Sequence, residues 1–189
     1  QILGNYIGIV ADGSTAFSGT QEGISVSSAV ATRIEANVIA ANLENGVYLG
    51  TTGTGTVIHN NLIGTNAAGT ALVSAPINGI WASQAGASTV ITNNVIAGVS
   101  ESGIRLDSSA SGITVQGNRI GTDAAGTANW GAQRHGIQIA SSSNRIGGTG
   151  AGQGNIIAFS NQAAGSYDGI SVSSGTGSAI LGNSIYATV

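Results

Sequence analysis

The sequence predicts an all-β fold, a right-handed parallel β-helix of about seven coils that alternate between short and long. Three observations predict it. Asn5–Gly23, Asn61–Gly79 and Asn118–Gly136 align without a gap, each opening on Asn-x-Ile-Gly, and shorter versions stand between them at Asn37–Gly46 and Asn94–Gly103. A Gly-apolar-x-apolar cue recurs along the chain, and so does an Asn-x-Ile cue, usually with an apolar residue three positions before the Asn. Both cues alternate with period two, the side-chain period of a strand.

Taken in order, the first such strand is Gly23-Ile24-Ser25-Val26, after which Ile34 and the Asn37 cue mark two short strands on the way to Gly46-Val47-Tyr48-Leu49. Ile58 and Asn61 repeat the pair, followed by Gly79-Ile80-Trp81-Ala82, a weaker copy. Ile91 and Asn94 lead to Gly103-Ile104-Arg105-Leu106, and Val115 and Asn118 lead to Gly136-Ile137-Gln138-Ile139. Asn144 and Asn155 carry the Asn cue next, then come Gly169-Ile170-Ser171-Val172 and Ile180 with Asn183. Three short strands per turn, joined by Gly, Asn, Ser and Thr bends, stack each strand on its counterpart one coil away. Helical repeats are excluded: with 31 Gly, no window holds apolar residues at 3.6-residue spacing over ten or more positions.

The chain has 189 residues, one domain's worth spanning 1–189, and its 41% hydrophobic but 4% aromatic composition calls for a narrow interior of Ile, Val, Leu and Ala. Its single Pro, Pro76, leaves the excess Gly to serve bends rather than disorder. The formal charge is −3 and the five basic residues, Arg33, Arg105, Arg119, Arg134 and Arg145, are scattered, which argues against nucleic acid as a partner. No apolar run is long enough to span a membrane. With no Cys, disulfides, thiolate metal sites and thiol nucleophiles are excluded together. The repeat begins at Asn5-Tyr6-Ile7 and is still in register at Asn183-Ser184-Ile185, with no cap at either end. The expectation is a piece of a longer chain whose ends meet capping modules, neighbouring domains or another copy end to end.

The Asn column is expected to be an interior ladder, each amide bonding to the next coil or to bend backbone. The runs Gly64-Thr65-Asn66-Ala67-Ala68-Gly69-Thr70 and Gly121-Thr122-Asp123-Ala124-Ala125-Gly126-Thr127 are expected to close turns, with the Asx side chain holding backbone N–H groups. Asp123 alone does not make a calcium cage, since Asn66 and Val10 occupy its equivalent positions, so no metal and no cofactor is expected.

Those runs, with Ile146-Gly147-Gly148-Thr149 and Gly154-Asn155, resemble the repeat vocabulary of right-handed parallel β-helix segments in large secreted or surface-attached bacterial proteins. The resemblance covers nearly the whole chain. It implies the fold, and an extracellular or cell-surface location, but no single function, because such segments serve as adhesin-like, polysaccharide-active or purely structural parts.

Registering the coils on their glycines makes distant residues vertical neighbours about 4.8 Å apart. The position after the first apolar residue then runs Ser25, Tyr48, Trp81, Arg105, Gln138, Ser171. Tyr48, Trp81 and Arg105 are consecutive and form an exposed flat strip of the kind on which sugar rings stack. They are the candidate ligand-binding residues, with a polysaccharide or surface glycan as the partner. The position before the Gly runs Glu22, Asn45, Asn78, Ser102, His135, Asp168, and one earlier runs Gln21, Glu44, Ile77, Glu101, Arg134, Tyr167. His135 then neighbours Asp168, and Glu101 neighbours Arg134. Were the chain an enzyme, these four would be the catalytic group, with His135 as an oriented base; cross-strand charge pairing on a solvated edge is the commoner origin of such pairs. Glu35 and His59 form a third pair, two positions before the Asn, in a column continued by Thr92, Gln116, Ser142 and Leu181.

Glycosidase chemistry needs two carboxylates at a set separation, roughly 5–9 Å. Glu44 and Glu101 are two coils apart with Ile77 between, Asp107 and Glu101 sit at opposite ends of a strand, and Asp12 and Asp123 lie on loops several coils apart. Asp168-Gly169-Ile170 resembles the Asp-Gly-Ile of polygalacturonases without their further Asp residues. The calcium-binding acidic cluster of β-helix lyases and the Asp-Pro-His of epimerases are absent too. Ice binding by a Thr array is disfavoured, because the dense run Thr51-Thr52-Gly53-Thr54-Gly55-Thr56 does not recur. The expected function is a non-catalytic structural or adhesive segment with glycan as its ligand. The alternative is a fragment of a polysaccharide lyase or hydrolase of pectate-lyase-like fold.

Overall fold

A computed structural model describes residues 1–17, 19–51, 54–74, 76–131, 134–160 and 168–187 of the chain. Among these, all regular structure is β: twenty strands in three sheets of seven, seven and six strands. The first sheet holds Ile2–Leu3, Arg33–Glu35, Val57–His59, Val90–Thr92, Thr114–Gln116, Arg145–Gly147 and Ala179–Leu181. The second holds Tyr6–Ile7, Val38–Ile39, Leu62–Ile63, Val95–Ile96, Arg119–Ile120, Ile156–Ala158 and Ser184–Tyr186. The third holds Glu22–Val26, Asn45–Thr51, Asn78–Gln84, Ser102–Leu106, His135–Ile139 and Asp168–Val172. Every pairing is parallel and joins a strand to its counterpart one rung away, so the chain is a parallel β-solenoid.

The register puts like on like. Ile34, Ile58, Ile91, Val115 and Ile146 form one interior column, Ile39, Ile63, Ile96, Ile120 and Ile157 a second, and Val47, Ile80, Ile104 and Ile137 a third; all are fully buried. With three columns of branched aliphatic side chains facing one another, the interior needs few aromatic residues.

Two polar or glycine columns shape the corners. At the bend between the first and second sheets, Asn5, Asn37, Asn61, Asn94, Asn118, Asn155 and Asn183 are stacked. In each of the first six, the backbone N–H and the Nδ2 group donate to Oδ1 of the next Asn at 2.8–3.0 Å. The remaining Nδ2 proton reaches a strand carbonyl, as in Asn94 to Ile58 at 3.0 Å. The expected ladder is present, with one correction. Asn144 is not a member: its Oδ1 accepts from Ile113 N–H and its Nδ2 donates to Ser141 Oγ, at the corner that enters the first sheet. The ladder position of that rung is Asn155, because residues 148–154 intervene between Arg145–Gly147 and Ile156–Ala158. Ser142 is accordingly not in the Glu35 column, whose members pair on to Gly147 and then Leu181.

The glycines Gly46, Gly79, Gly103 and Gly136 stand where the third sheet begins, and their φ angles are ordinary. Space is what requires them. A Cβ on Gly46 would lie 2.7 Å from both the Gly79 carbonyl oxygen and Ile63 Cγ2, and the same collision recurs at each member. Backbone and isoleucine column close on each other here without room for a methyl group.

The long segments are β-hairpins rather than plain turns. Phe17, Val73 and Trp130 each donate N–H to the carbonyl of Gly8, Gly64 and Gly121 at 2.9–3.1 Å, closing equivalent stems. At the tips, Asn66 Oδ1 accepts from Thr70 and Ala71 N–H, and Asp123 Oδ1 from Thr127 and Ala128 N–H. In the first hairpin Val10 holds the Asx position, and Asp12 takes over by accepting from Ser14 and Thr15 N–H at 2.7 and 2.8 Å. The hairpins lie over the second sheet, which is why Val38 and Val95, on its outer side, are buried. Successive hairpins touch: Ala67 N–H donates to the Gly13 carbonyl at 2.8 Å.

The hydrogen bonds from Thr15 and Ser14 hold the Asp12 carboxyl down at about 2. A lowered carboxylate stabilises the fold above its unfolded value, near 4, and that contribution is lost as pH falls through about 2. The amide shifts of Ser14 and Thr15 are expected to titrate together in this window. Asp12→Asn should abolish the titration and keep the hairpin, since Asn66 does the same work with an amide oxygen.

Candidate functional site

The third sheet carries the candidate residues. Tyr48, Trp81 and Arg105 are in-register neighbours on three successive strands, followed by Gln138 and Ser171. The rings of Tyr48 and Trp81 meet edge to face, with centroids 5.3 Å apart and an interplanar angle of 71°. The Arg105 guanidinium carbon sits 4.8 Å from the Trp81 centroid, a cation–π contact. Asp107 ties the group together, accepting from Trp81 Nε1 on Oδ2 and from Arg105 Nε on Oδ1, both at 2.8 Å.

The strip is thus not flat. The two rings stand at a steep angle, and all three side chains are half-buried against one another, because rows about 4.8 Å apart leave no room for large side chains to lie side by side. The ring of Tyr48 leans over Gly50, where an added Cβ would come within 3.2 Å of Tyr48 Cε1. Asp107 was not among the residues expected here. Its signal is its place two residues after Arg105, on the same side of an extended chain.

The residues named for catalysis also meet in pairs. Arg134 Nη1 lies 3.3 Å from Glu101 Oε2, and both side chains are close to half exposed. His135 Nδ1 lies 3.7 Å from Asp168 Oδ2 and 3.4 Å from Asp168 N–H, which points at the same nitrogen. Tyr167, next in the outer column, lies outside the described residues. Each carboxylate faces a cationic or imidazole partner in the adjacent rung. Glu35 turns to Arg33 at 2.5 Å, while His59 Nδ1 lies 3.0 Å from Thr92 Oγ1, so these two register partners do not bond to each other.

Earlier in the same column is a shorter polar row. Asn78 Nδ2 donates to Asn45 Oδ1, and Asn45 Nδ2 to Glu22 Oε1. Burial, with the nearby charge of Glu44, raises the Glu22 carboxyl above its ordinary value against the opposing bond from Asn45, and its Oε2 is buried without a partner among the described residues. A raised carboxylate costs stability where it is ionised, and the cost disappears as pH falls into the ordinary carboxylate range. Glu22→Gln keeps the acceptor for Asn45 and removes the charge. It is expected to weaken the pH dependence of stability between pH 4 and 7, read from urea unfolding at the two pH values.

Among the described residues no group of three or more His, Cys, Asp and Glu side chains gathers at metal-binding range. A hollow of about 700 Å³ is lined by residues such as Tyr6, Ile7, Ile9, Phe17 and Gly23, and by none of the three strip residues. In the Thr run, Thr51 Oγ1 donates to Gln84 Oε1 at 2.6 Å, and Thr52 and Gly53 lie outside the described residues. Among the described residues no helix is long and apolar enough to cross a membrane. No protein-family model matches the chain, no curated protein is similar to it, and no solved structure matches it.

Proposed function

We propose that the chain is a rigid, non-catalytic segment of an extracellular bacterial repeat protein, acting as stalk or adhesive surface, with polysaccharide as the ligand of the third sheet's outer face. We take the winding to be right-handed, the hand that parallel crossovers adopt almost without exception, with about seven coils and a rod of roughly 34 Å. The observation that carries this reading is the Asn ladder, unbroken from Asn5 to Asn183 and bonded at every step. A solenoid pinned in this way holds its outward side chains at a fixed spacing, as a repetitive contact surface requires. The location and the adhesive role rest on the sequence resemblance.

Hydrogen exchange tests the rod directly. The ladder amides Asn37, Asn61, Asn94, Asn118 and Asn155 are expected to exchange together at the slow rate of global unfolding. Exchange of these amides rung by rung, at widely different rates, would remove the basis for a stiff segment.

The second reading, a polysaccharide-active enzyme, draws on the adjacency of His135 with Asp168 and Glu101 with Arg134. Incubation with acidic and neutral polysaccharides is expected to give no product. Turnover abolished by His135→Ala would replace the first reading with the second.

A further inference from the structure

Resting on the reading that the third sheet contacts polysaccharide, we propose that Tyr48, Trp81 and Arg105 recognise glycans that carry carboxylates, with Arg105 holding the carboxylate. The argument lies in how Arg105 is held. Its inner nitrogen, Nε, donates to Asp107 Oδ1 at 2.8 Å, and its guanidinium carbon lies 4.8 Å from the Trp81 ring centre. The other oxygen of Asp107 is taken by Trp81 Nε1. Asp107 is thereby occupied on both oxygens and orients the arginine without covering its terminal nitrogens.

Those two nitrogens present the parallel pair of N–H groups that fits the two oxygens of a carboxylate. They have no hydrogen-bond partner among the described residues, and the side chain is 38% exposed. Along the row, the in-register neighbours Trp81, Gln138 and Ser171 carry no negative charge that would repel an anionic ligand. Gln138, one strand beyond Arg105, accepts from Ser102 Oγ on Oε1 at 3.4 Å, and its Nε2 is the group it offers to the same sugar. Tyr48 lies two strands away, about 9.6 Å, so an oligosaccharide laid across the strands reaches both its ring and the arginine. Stacking on Arg105 also keeps Trp81 in place as a reporter of binding.

The test uses the full chain carrying Trp130→Phe, so that Trp81 is the sole indole. Its fluorescence is titrated with alginate, polygalacturonate and hyaluronan oligosaccharides, with the same oligosaccharides after reduction of their carboxyl groups to alcohols, and with dextran. At least one carboxylated oligosaccharide is expected to bind, with affinity about tenfold or more above its reduced form. Arg105→Gln is expected to lose a similar factor, and Arg105→Lys not to restore it. The reduced-sugar arm needs no variant, so a folding defect in Arg105→Gln does not blunt the test. Equal affinity for carboxylated and reduced sugars, both lost in Tyr48→Ala, would overturn the carboxylate inference and leave glycan contact standing. Binding by none of the carboxylated, reduced or dextran probes would overturn both.

Discussion

Gly103→Ala is expected to cost about 3 kcal/mol or more, a large fraction of the roughly 5–15 kcal/mol by which a folded domain is typically stable. Its Cβ would lie 2.7 Å from the Gly136 carbonyl oxygen and still closer to Ile120 Cγ2. Neither obstacle can step aside: the carbonyl belongs to the next rung's backbone, and Ile120 is locked in a fully buried column. Relief needs two sheets to move apart, and the third sheet is paired through the same point in the rungs on both sides. Gly152→Ala is the control. That residue has φ +73° and nothing within 4 Å of an added Cβ, so it pays backbone strain alone, about 1 kcal/mol. Urea midpoints of the two variants decide the matter; equal losses would mean that the Gly103 column is not there for want of space.

Asn94→Ala is expected to cost about 3–5 kcal/mol. Asn94 Oδ1 accepts from both the backbone N–H and the Nδ2 of Asn61, and its own Nδ2 donates to Ile58 C=O and Asn118 Oδ1. Truncation strips partners from groups on both neighbouring rungs in a corner with no access to solvent, and leaves a cavity besides. The position within the stack sets the size of the loss. Asn5, exposed at one end, offers its amide to Asn37 alone in the ladder, and Asn5→Ala should cost about 1 kcal/mol. Asn94→Asp keeps the acceptor and introduces a buried charge. It should be destabilised at pH 7 and partly recover at low pH, as its carboxyl protonates. Thermal unfolding of the three variants at pH 4 and 7 checks both the gradient along the stack and the sign of the pH effect.

Much of the architecture was legible because a solenoid turns spacing along the chain into neighbourhood in space. Once Gly23, Gly46, Gly79, Gly103 and Gly136 are superposed, the pairings of Tyr48 with Trp81, Trp81 with Arg105 and His135 with Asp168 follow, and all three are found. The same rule misled at Asn144. It carries the Asn-x-Ile cue, yet residues 148–154 push the true ladder member to Asn155, and nothing in the local pattern separates the two. Why the glycines recur was hidden as well, since pattern alone does not separate a residue needed for its φ from one needed for its missing methyl. At the strip, the columns placed the residues but not their attitude. The tilt of Trp81 is set by Asp107, whose role depends on side-chain reach rather than on register. The hairpin stems went unread because they are closed by backbone groups, as in Phe17 to Gly8, which any residue supplies.

The contact between Ala67 and Gly13 joins hairpins that arise two rungs apart. A hairpin laid over a sheet takes up about 10 Å, while each rung advances about 4.8 Å, so a hairpin on every rung would overlap its neighbour and one on every third would leave bare sheet. The alternation of long and short turns is therefore a tiling constraint. Growth or loss of the rod by recombination has to proceed in pairs of turns: excision of one short turn alone would throw two hairpins onto the same ground, and excision of one long turn would leave sheet uncovered.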